Sequence, residues 1–248
     1  MVYNLIILND MTIEEFSNGM DTLINAYSNT GFYGENHPLE LDEYEKSVFL
    51  THAQETIVKR LYSLDIPNTP SFESTEERRR QLDTLVFQKD YSQEGRVIQK
   101  LDDNKFIHTV YNLPCNCWYI VFEQVTLSTD NTCTDGSIAM VVPVSHDTYQ
   151  RIRNNPYKGP NNRKALRLDS GLREVEIVST ENIGTYTLRY LSKPEPIILV
   201  DLPSDLSIDG IHTSNPCKLP QVVHRAILEE AVKEALASRG LNTANQSK

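Results

Sequence analysis

Helical periodicity occupies both ends of this 248-residue chain, and strand-like texture fills its middle. That segregation constrains the fold more than any other feature. A helix with one apolar stripe must bury it against a comparable surface. The closing helix finds such surfaces only at the front of the chain, so the simplest solution packs the two ends together and leaves the middle as an insertion.

At the front, Thr12 with Glu15 three residues on forms a capping box. Phe16, Met20, Leu23, Ile24 and Tyr27 then recur at helical spacing. A second helix is expected from about Leu41 to Leu64, striped by Phe49, Leu50, Ala53, Ile57, Leu61 and Leu64 and stopped by Pro67 and Pro70. A third begins at Ser74, with Glu77 completing another capping box, and directs Leu82, Leu85, Val86 and Phe87 inward.

After Gly95 the chain turns β-branched and aromatic. Trp118–Phe122, Ile138–Val144, Ala165–Leu168, Val175–Val178, Tyr186–Tyr190 and Ile197–Val200 read as strands. They lie too close together for βαβ units, so the predicted sheet is mostly antiparallel. Ser145 caps a short helix that runs to about Arg153. Pro220 sits in the first turn of the closing helix, which runs to about Ser238 with Val223, Ile227, Leu228, Ala231, Val232 and Ala235 on one face. The expected fold is α+β. Three N-terminal helices and one C-terminal helix make a bundle with a C-terminal tail (1–94 and 202–248), which carries a large, mostly antiparallel β-rich insertion (95–201).

A hydrophobic content of 39% is low for a compact globule of this size. It suits either a chain with more loop or an extended subunit that completes its burial against neighbours. No run approaches the ~18 apolar residues of a membrane span. The N-terminus has no basic region followed by an apolar block, so the expectation is a protein made and kept in a cytoplasm. Cys115, Cys117, Cys133 and Cys217 show no zinc spacing and read as reduced thiols.

Catalytic signatures are missing as well. The sequence has no phosphate-binding glycine loop, no Gly-x-Ser-x-Gly and no His-Glu-x-x-His. A nucleophile pair of Cys115 or Cys117 with His108 has nothing but imagination of spacing behind it, and a structural reading is preferred. Glu40, Asp42, Glu43 and Glu45 fit a charged first helical turn better than a hard-metal site. His224, beside the apolar face of the closing helix, reads as a capped core or interface histidine. The expectation is no enzyme, no cofactor and no metal.

Charge is unevenly spread. Residues 1–90 hold 16 acidic and 7 basic side chains. Residues 151–173 carry Arg151, Arg153, Lys158, Arg163, Lys164, Arg167 and Arg173 against a single acid, Asp169. Three readings stand for this basic segment: phosphate contact with passing DNA, pairing with the acidic front of an adjacent copy, or a solvated loop. The net charge of −10 opposes the first. Head-to-tail contacts between complementary ends close into rings, and the second reading is preferred.

Two stretches carry a family resemblance. One is Leu219-Pro220-Gln221-Val222-Val223-His224-Arg225-Ala226-Ile227-Leu228-Glu229-Glu230-Ala231-Val232; the other is Asn155-Pro156-Tyr157-Lys158-Gly159-Pro160 leading into Ala165–Leu168. With the order of parts, they resemble the head–tail adaptor (ring) proteins of short-tailed bacteriophages, in particular the crAss-like phages of Bacteroides.

The resemblance implies a virion structural protein at the head–tail junction, assembled in the host cytoplasm. It implies a homo-oligomeric ring, commonly dodecameric, stacked beneath the portal and beside a further tail ring protein. DNA would pass through its channel without specific binding, and no membrane is involved. The tail, with Arg239, Leu241, Asn242, Thr243, Asn245 and Lys248, would insert into a groove of the portal. It is too short and polar to form a core, so a partner must order it. Alternatives are another tail-ring or scaffold component of the same particle, and a phage-encoded hydrolase or nuclease built on Cys115 or the acidic residues.

Overall fold

The computed structural model describes residues 11–28, 40–62, 75–92, 94–98, 105–128, 135–171 and 173–238. Its helices are α1 (Ile13–Ser28), α2 (Glu43–Tyr62), α3 (Glu76–Leu82), α4 (His146–Ile152) and α5 (Gln221–Ser238). Its strands are β1 (Val86–Ser92), β2 (Arg96–Ile98), β3 (Ile107–Asn112), β4 (Cys117–Ser128), β5 (Ile138–Pro143), β6 (Lys164–Gly171), β7 (Glu174–Ser179) and β8 (Asn182–Ser192). The fold is mixed α+β. The chain divides into two compact units, Met1–Leu85 with Pro194–Lys248, and Val86–Lys193.

The first unit is helical. The capping box opens α1 as expected: the Thr12 amide donates to Glu15 Oε2 at 2.8 Å and the Glu15 amide to Thr12 Oγ1 at 3.2 Å. Asp42 and Glu45 make the same reciprocal pair at the start of α2. Phe16, Met20 and Ile24 of α1, Leu50, Ala53, Ile57 and Val58 of α2, and Val223, Ile227, Ala231, Val232 and Ala235 of α5 are buried. α5 packs on both α1 and α2, so the two ends of the chain share one core. Gly19 lets α1 approach closely, since a Cβ there would come within 2.9 Å of Leu228 Cδ2.

α3 differs from expectation. Its N-cap is Thr75, without a side-chain cap bond, and Ser74 lies outside the described residues. The helix ends at Leu82 and a 3-10 turn at Asp83–Leu85 follows, so the sheet begins at Val86 and not after Gly95. Val86 and Phe87 are strand residues, and Phe87 is exposed.

The second correction concerns Ile197–Val200. The segment is apolar, and Ile197–Leu199 is buried, but it joins no sheet strand and belongs to the helical unit. The Ile197 amide donates to Thr51 Oγ1 at 3.1 Å, and that hydroxyl donates back to the Ile197 carbonyl at 3.2 Å. The Leu199 amide donates to Ser47 Oγ at 3.0 Å. Between them, Ile198 exchanges both backbone bonds with Asn215. Two hydroxyls one helical turn apart on α2 therefore replace the neighbouring strand that an extended, buried backbone requires.

The second unit is an eight-stranded sheet in the order β1-β8-β4-β5-β6-β7-β3-β2. Every pairing is antiparallel except β5 with β6. That parallel pair is joined through α4 and is a βαβ unit, contrary to expectation. Ser145 caps α4 as expected, its Oγ accepting from the Thr148 amide.

The sheet curls until β1 meets β3. Tyr91 packs on Tyr111 with ring centroids 5.5 Å apart, and its hydroxyl donates to the Asn112 carbonyl at 2.7 Å. The inner face holds Val125, Leu127, Ala139, Val141, Ala165, Ile177, Tyr186 and Leu188. On the outer face, α4 lays Tyr149 over Leu166, Leu168 and Val178.

Candidate functional site

The basic segment spans α4, the following loop and the first strand beyond it. Asn155 organises the loop: its Oδ1 accepts the amides of Tyr157 and Lys158, and its carbonyl accepts the Gly159 amide at 2.7 Å. Gly159 has no room for a side chain, because a Cβ would fall 2.7 Å from the Arg153 carbonyl oxygen and 2.8 Å from that of Asn155. The Lys164 ammonium closes the loop from beneath, donating to the carbonyls of Tyr157 and Lys158. The loop presents Tyr157, 89% exposed, at its tip.

The seven basic side chains do not act together. Lys158, Arg163 and Arg173 are exposed. Arg151 is exposed and paired with Asp147 one turn back on α4. Arg153 is half-buried and Lys164 is committed to the loop backbone.

Arg167 points the other way, into the curled sheet, with only 12% of its side chain exposed. There its Nη1 donates to Glu123 Oε2 at 2.5 Å, and the Tyr186 hydroxyl donates to Glu123 Oε1 at 2.5 Å. Burial pushes the Glu123 carboxyl above the usual carboxylate range, against the pull of the Arg167 charge and the Tyr186 hydrogen bond. Burial and the Glu123 charge drive the Tyr186 phenol far upward. Strand alternation puts Arg167 on the same face as Ala165 and opposite Leu166 and Leu168, a signal present in the sequence. The partners of Arg167 carry no motif; Glu123 alternates in phase with Val125 and Leu127, which marks it as inward-facing, and Tyr186 reads from sequence only as a strand residue.

The other candidates fall into structural roles. His108 is fully buried beneath α4 and bonds Glu176 through Nδ1 at 2.5 Å. Cys117 packs against the inner core, and burial with the Glu123 charge raises its thiol to about 11. That is the wrong direction for a nucleophile. His224 is a capped core residue: its Nδ1 accepts the Met11 amide at 3.3 Å and its Nε2 donates to the Leu219 carbonyl at 2.7 Å.

Lys46 is 4% exposed and gathers Asp21, Glu43 and Ser17 around its ammonium. Burial acts to lower its pKa, and the bonds and charges of Asp21 and Glu43 outweigh that and raise it. Part of the acidic front is thus neutralised internally. Among the described residues no group of three or more His, Cys, Asp or Glu is placed to hold a metal ion, and no helix is long and apolar enough to cross a membrane. Arg239, Leu241, Asn242, Thr243, Asn245 and Lys248 lie outside the described residues.

The family model for phage tail ring protein 3/4 matches residues 11–247. The chain belongs to this family. Ring protein 3 of Bacteroides phage crAss001 is 42% identical over 238 residues, which cover 95% of this chain and 100% of that protein. Ring protein 4/5 of the same phage is 32% identical over 238 residues, covering 92% of this chain and 93% of its own length. As a member of the tail ring family, the chain is a structural component of a crAss-like phage virion and not an enzyme.

Proposed function

We propose that copies of this chain close into a ring within the connector that joins the portal to the tail, and that the ring surrounds the channel through which DNA passes. The observation that carries this reading is the opposition of charge within one chain. A firmly built loop presents Lys158 and Arg163, while residues 1–90 hold 16 acids against 7 bases. Such a subunit repels copies side by side with like surfaces facing and attracts them head to tail, the arrangement that closes into rings. An acidic wall along the channel lets DNA slide past without adhering. Dodecameric stoichiometry, contact with the portal through the tail at Arg239 to Lys248, assembly in the host cytoplasm and stacking on a further ring protein belong to the same proposal.

A second reading places the ring lower in the tail stack, out of contact with the portal. Membership of the tail ring family favours it.

Charge reversal tests the ring contact. The double substitution Lys158→Glu with Arg163→Glu is expected to weaken assembly of the full chain about 10- to 100-fold at low salt, with the deficit shrinking as salt rises. Sedimentation across a salt series reads this out. Unchanged assembly at low salt removes the charge-pairing contact. Portal binding by rings of the full chain separates the two positions in the stack: binding supports the upper one and its absence refutes it, while truncation after Ser238 tests the tail, whose docking role is lost if the truncated rings bind the portal normally.

A further inference from the structure

Among the described residues, the outer face of the curled sheet is only half covered. α4 shields β6 and β7 through Tyr149 on Leu166, Leu168 and Val178, and the covering stops there. On the next strand, β5, burial alternates strictly: Ala139 and Val141 face the inner core, and Ile138, Met140 and Val142 face out. Ile138 and Met140 are each 60% exposed. β4 continues the bare face with Phe122, also exposed, in line with Gln124 opposite Met140 and Thr126 opposite Ile138.

A soluble monomer rarely leaves several large apolar side chains contiguous on central strands; patches of roughly 300–600 Å² are commonly functional. The surroundings are those of an interface, an apolar centre inside a polar rim. Arg189 lies opposite Phe122 on β8, and Lys164 lies beside Met140 on β6.

We propose that this face is the apolar centre of the contact between successive copies in the ring, the occupant being a second copy of this chain. The inference rests on the ring reading above and names the surface that makes the ring. Three observations select the occupant. The family is one of tail rings. The patch is continuous with the basic segment, since the Met140 amide donates to the Arg163 carbonyl at 3.0 Å and Met140 pairs in register with Lys164. Its rim is basic, through Arg163 and Arg189, where the same chain elsewhere carries an acidic excess over residues 1–90.

Met140→Asp places a carboxylate at the centre of that face without touching the inner core. Val97→Asp, on the strand at the end of the sheet, is the control, because Val97 is 59% exposed and lies outside the patch. Native mass spectrometry and sedimentation of the full chain are expected to show wild-type and Val97→Asp rings. Met140→Asp should be a folded monomer with self-association weakened about 100-fold, and circular dichroism should match wild type. The milder Met140→Thr should fall between the two.

Met140→Asp rings as strong as wild type overturn the inference. So do equal losses in Met140→Asp and Val97→Asp. Intact Met140→Asp rings that fail to enter the particle assign the face to another virion protein and overturn it as well. A wild-type chain that stays monomeric defeats the ring reading itself, and the inference with it.

Discussion

The two units solve the same problem in opposite ways. Each must place polar groups inside an apolar core. Beneath Ile197–Leu199 the helical unit does it with neutral groups, Ser47 and Thr51 on α2 taking up the backbone of an extended segment that no strand accompanies, and its buried ammonium, Lys46, is held by the partly exposed Asp21 and Glu43. The sheet unit does it with charge, holding Arg167, Glu123 and Tyr186 together inside its curl. A satisfied neutral hydrogen bond costs less to bury, and less to lose, than a buried ion pair. A buried ion pair is expensive to desolvate, gives uncertain net stability and is severely missed when one partner goes. The Ser47 and Thr51 site should therefore tolerate change better than the Arg167 site does.

The largest test of this contrast is Arg167→Met. It strands a carboxyl inside the curled sheet and is expected to cost about 3–5 kcal/mol. Adding Glu123→Leu should return most of that loss, because apolar replacement of both partners removes the stranded charge. Urea unfolding of the two variants measures both. If Arg167→Met is as stable as wild type, the pair is not the sensitive point of the sheet.

Thr51→Val should cost less, about 1–3 kcal/mol, because it deprives one amide and one carbonyl of their partner while keeping the shape of the side chain. A loss as large as that of Arg167→Met would erase the contrast between the units.

The smallest effect is a slope with pH. Glu123 sits above its ordinary value in the folded chain, so between the unfolded and folded values the folded chain holds more proton than the unfolded one. Its contribution to stability is present at acid pH and is lost as pH rises through the folded value. One proton limits the slope to about 1.4 kcal/mol per pH unit. The stability difference between wild type and Glu123→Gln should fall with rising pH across that window. A difference that rises with pH would mean that Arg167 outweighs burial.

The contrast also explains what the sequence made legible. Helices with caps and stripes were readable because their signals are local: Thr12 with Glu15, the α5 face from Val223 to Ala235, and the Ser145 cap all stand where the pattern puts them. The α+β class and the antiparallel character of the sheet followed from the same patterns. Ile197–Val200 reads as a strand in the sequence because an extended buried backbone looks alike whether a strand or a pair of hydroxyls satisfies it. The clue was polar Ser47 and Thr51 within the buried face of α2.

Counting charge along the chain groups Arg167 with the basic segment because it ignores strand alternation, which turns Arg167 inward in phase with Ala165, whereas the exposed Arg163 precedes the strand. The bare face of β5 is equally hidden in the sequence. Ile138, Met140 and Val142 belong to a continuous apolar run, and only the structure shows which alternate members are covered.

Cryo-electron microscopy of the virion tests the ring assignment most directly. The expected result is a closed ring of this chain in the tail, with Ile138 and Met140 of every copy packed against the next. A tail that lacks the chain, or that holds it as single separated copies with those side chains in solvent, contradicts it.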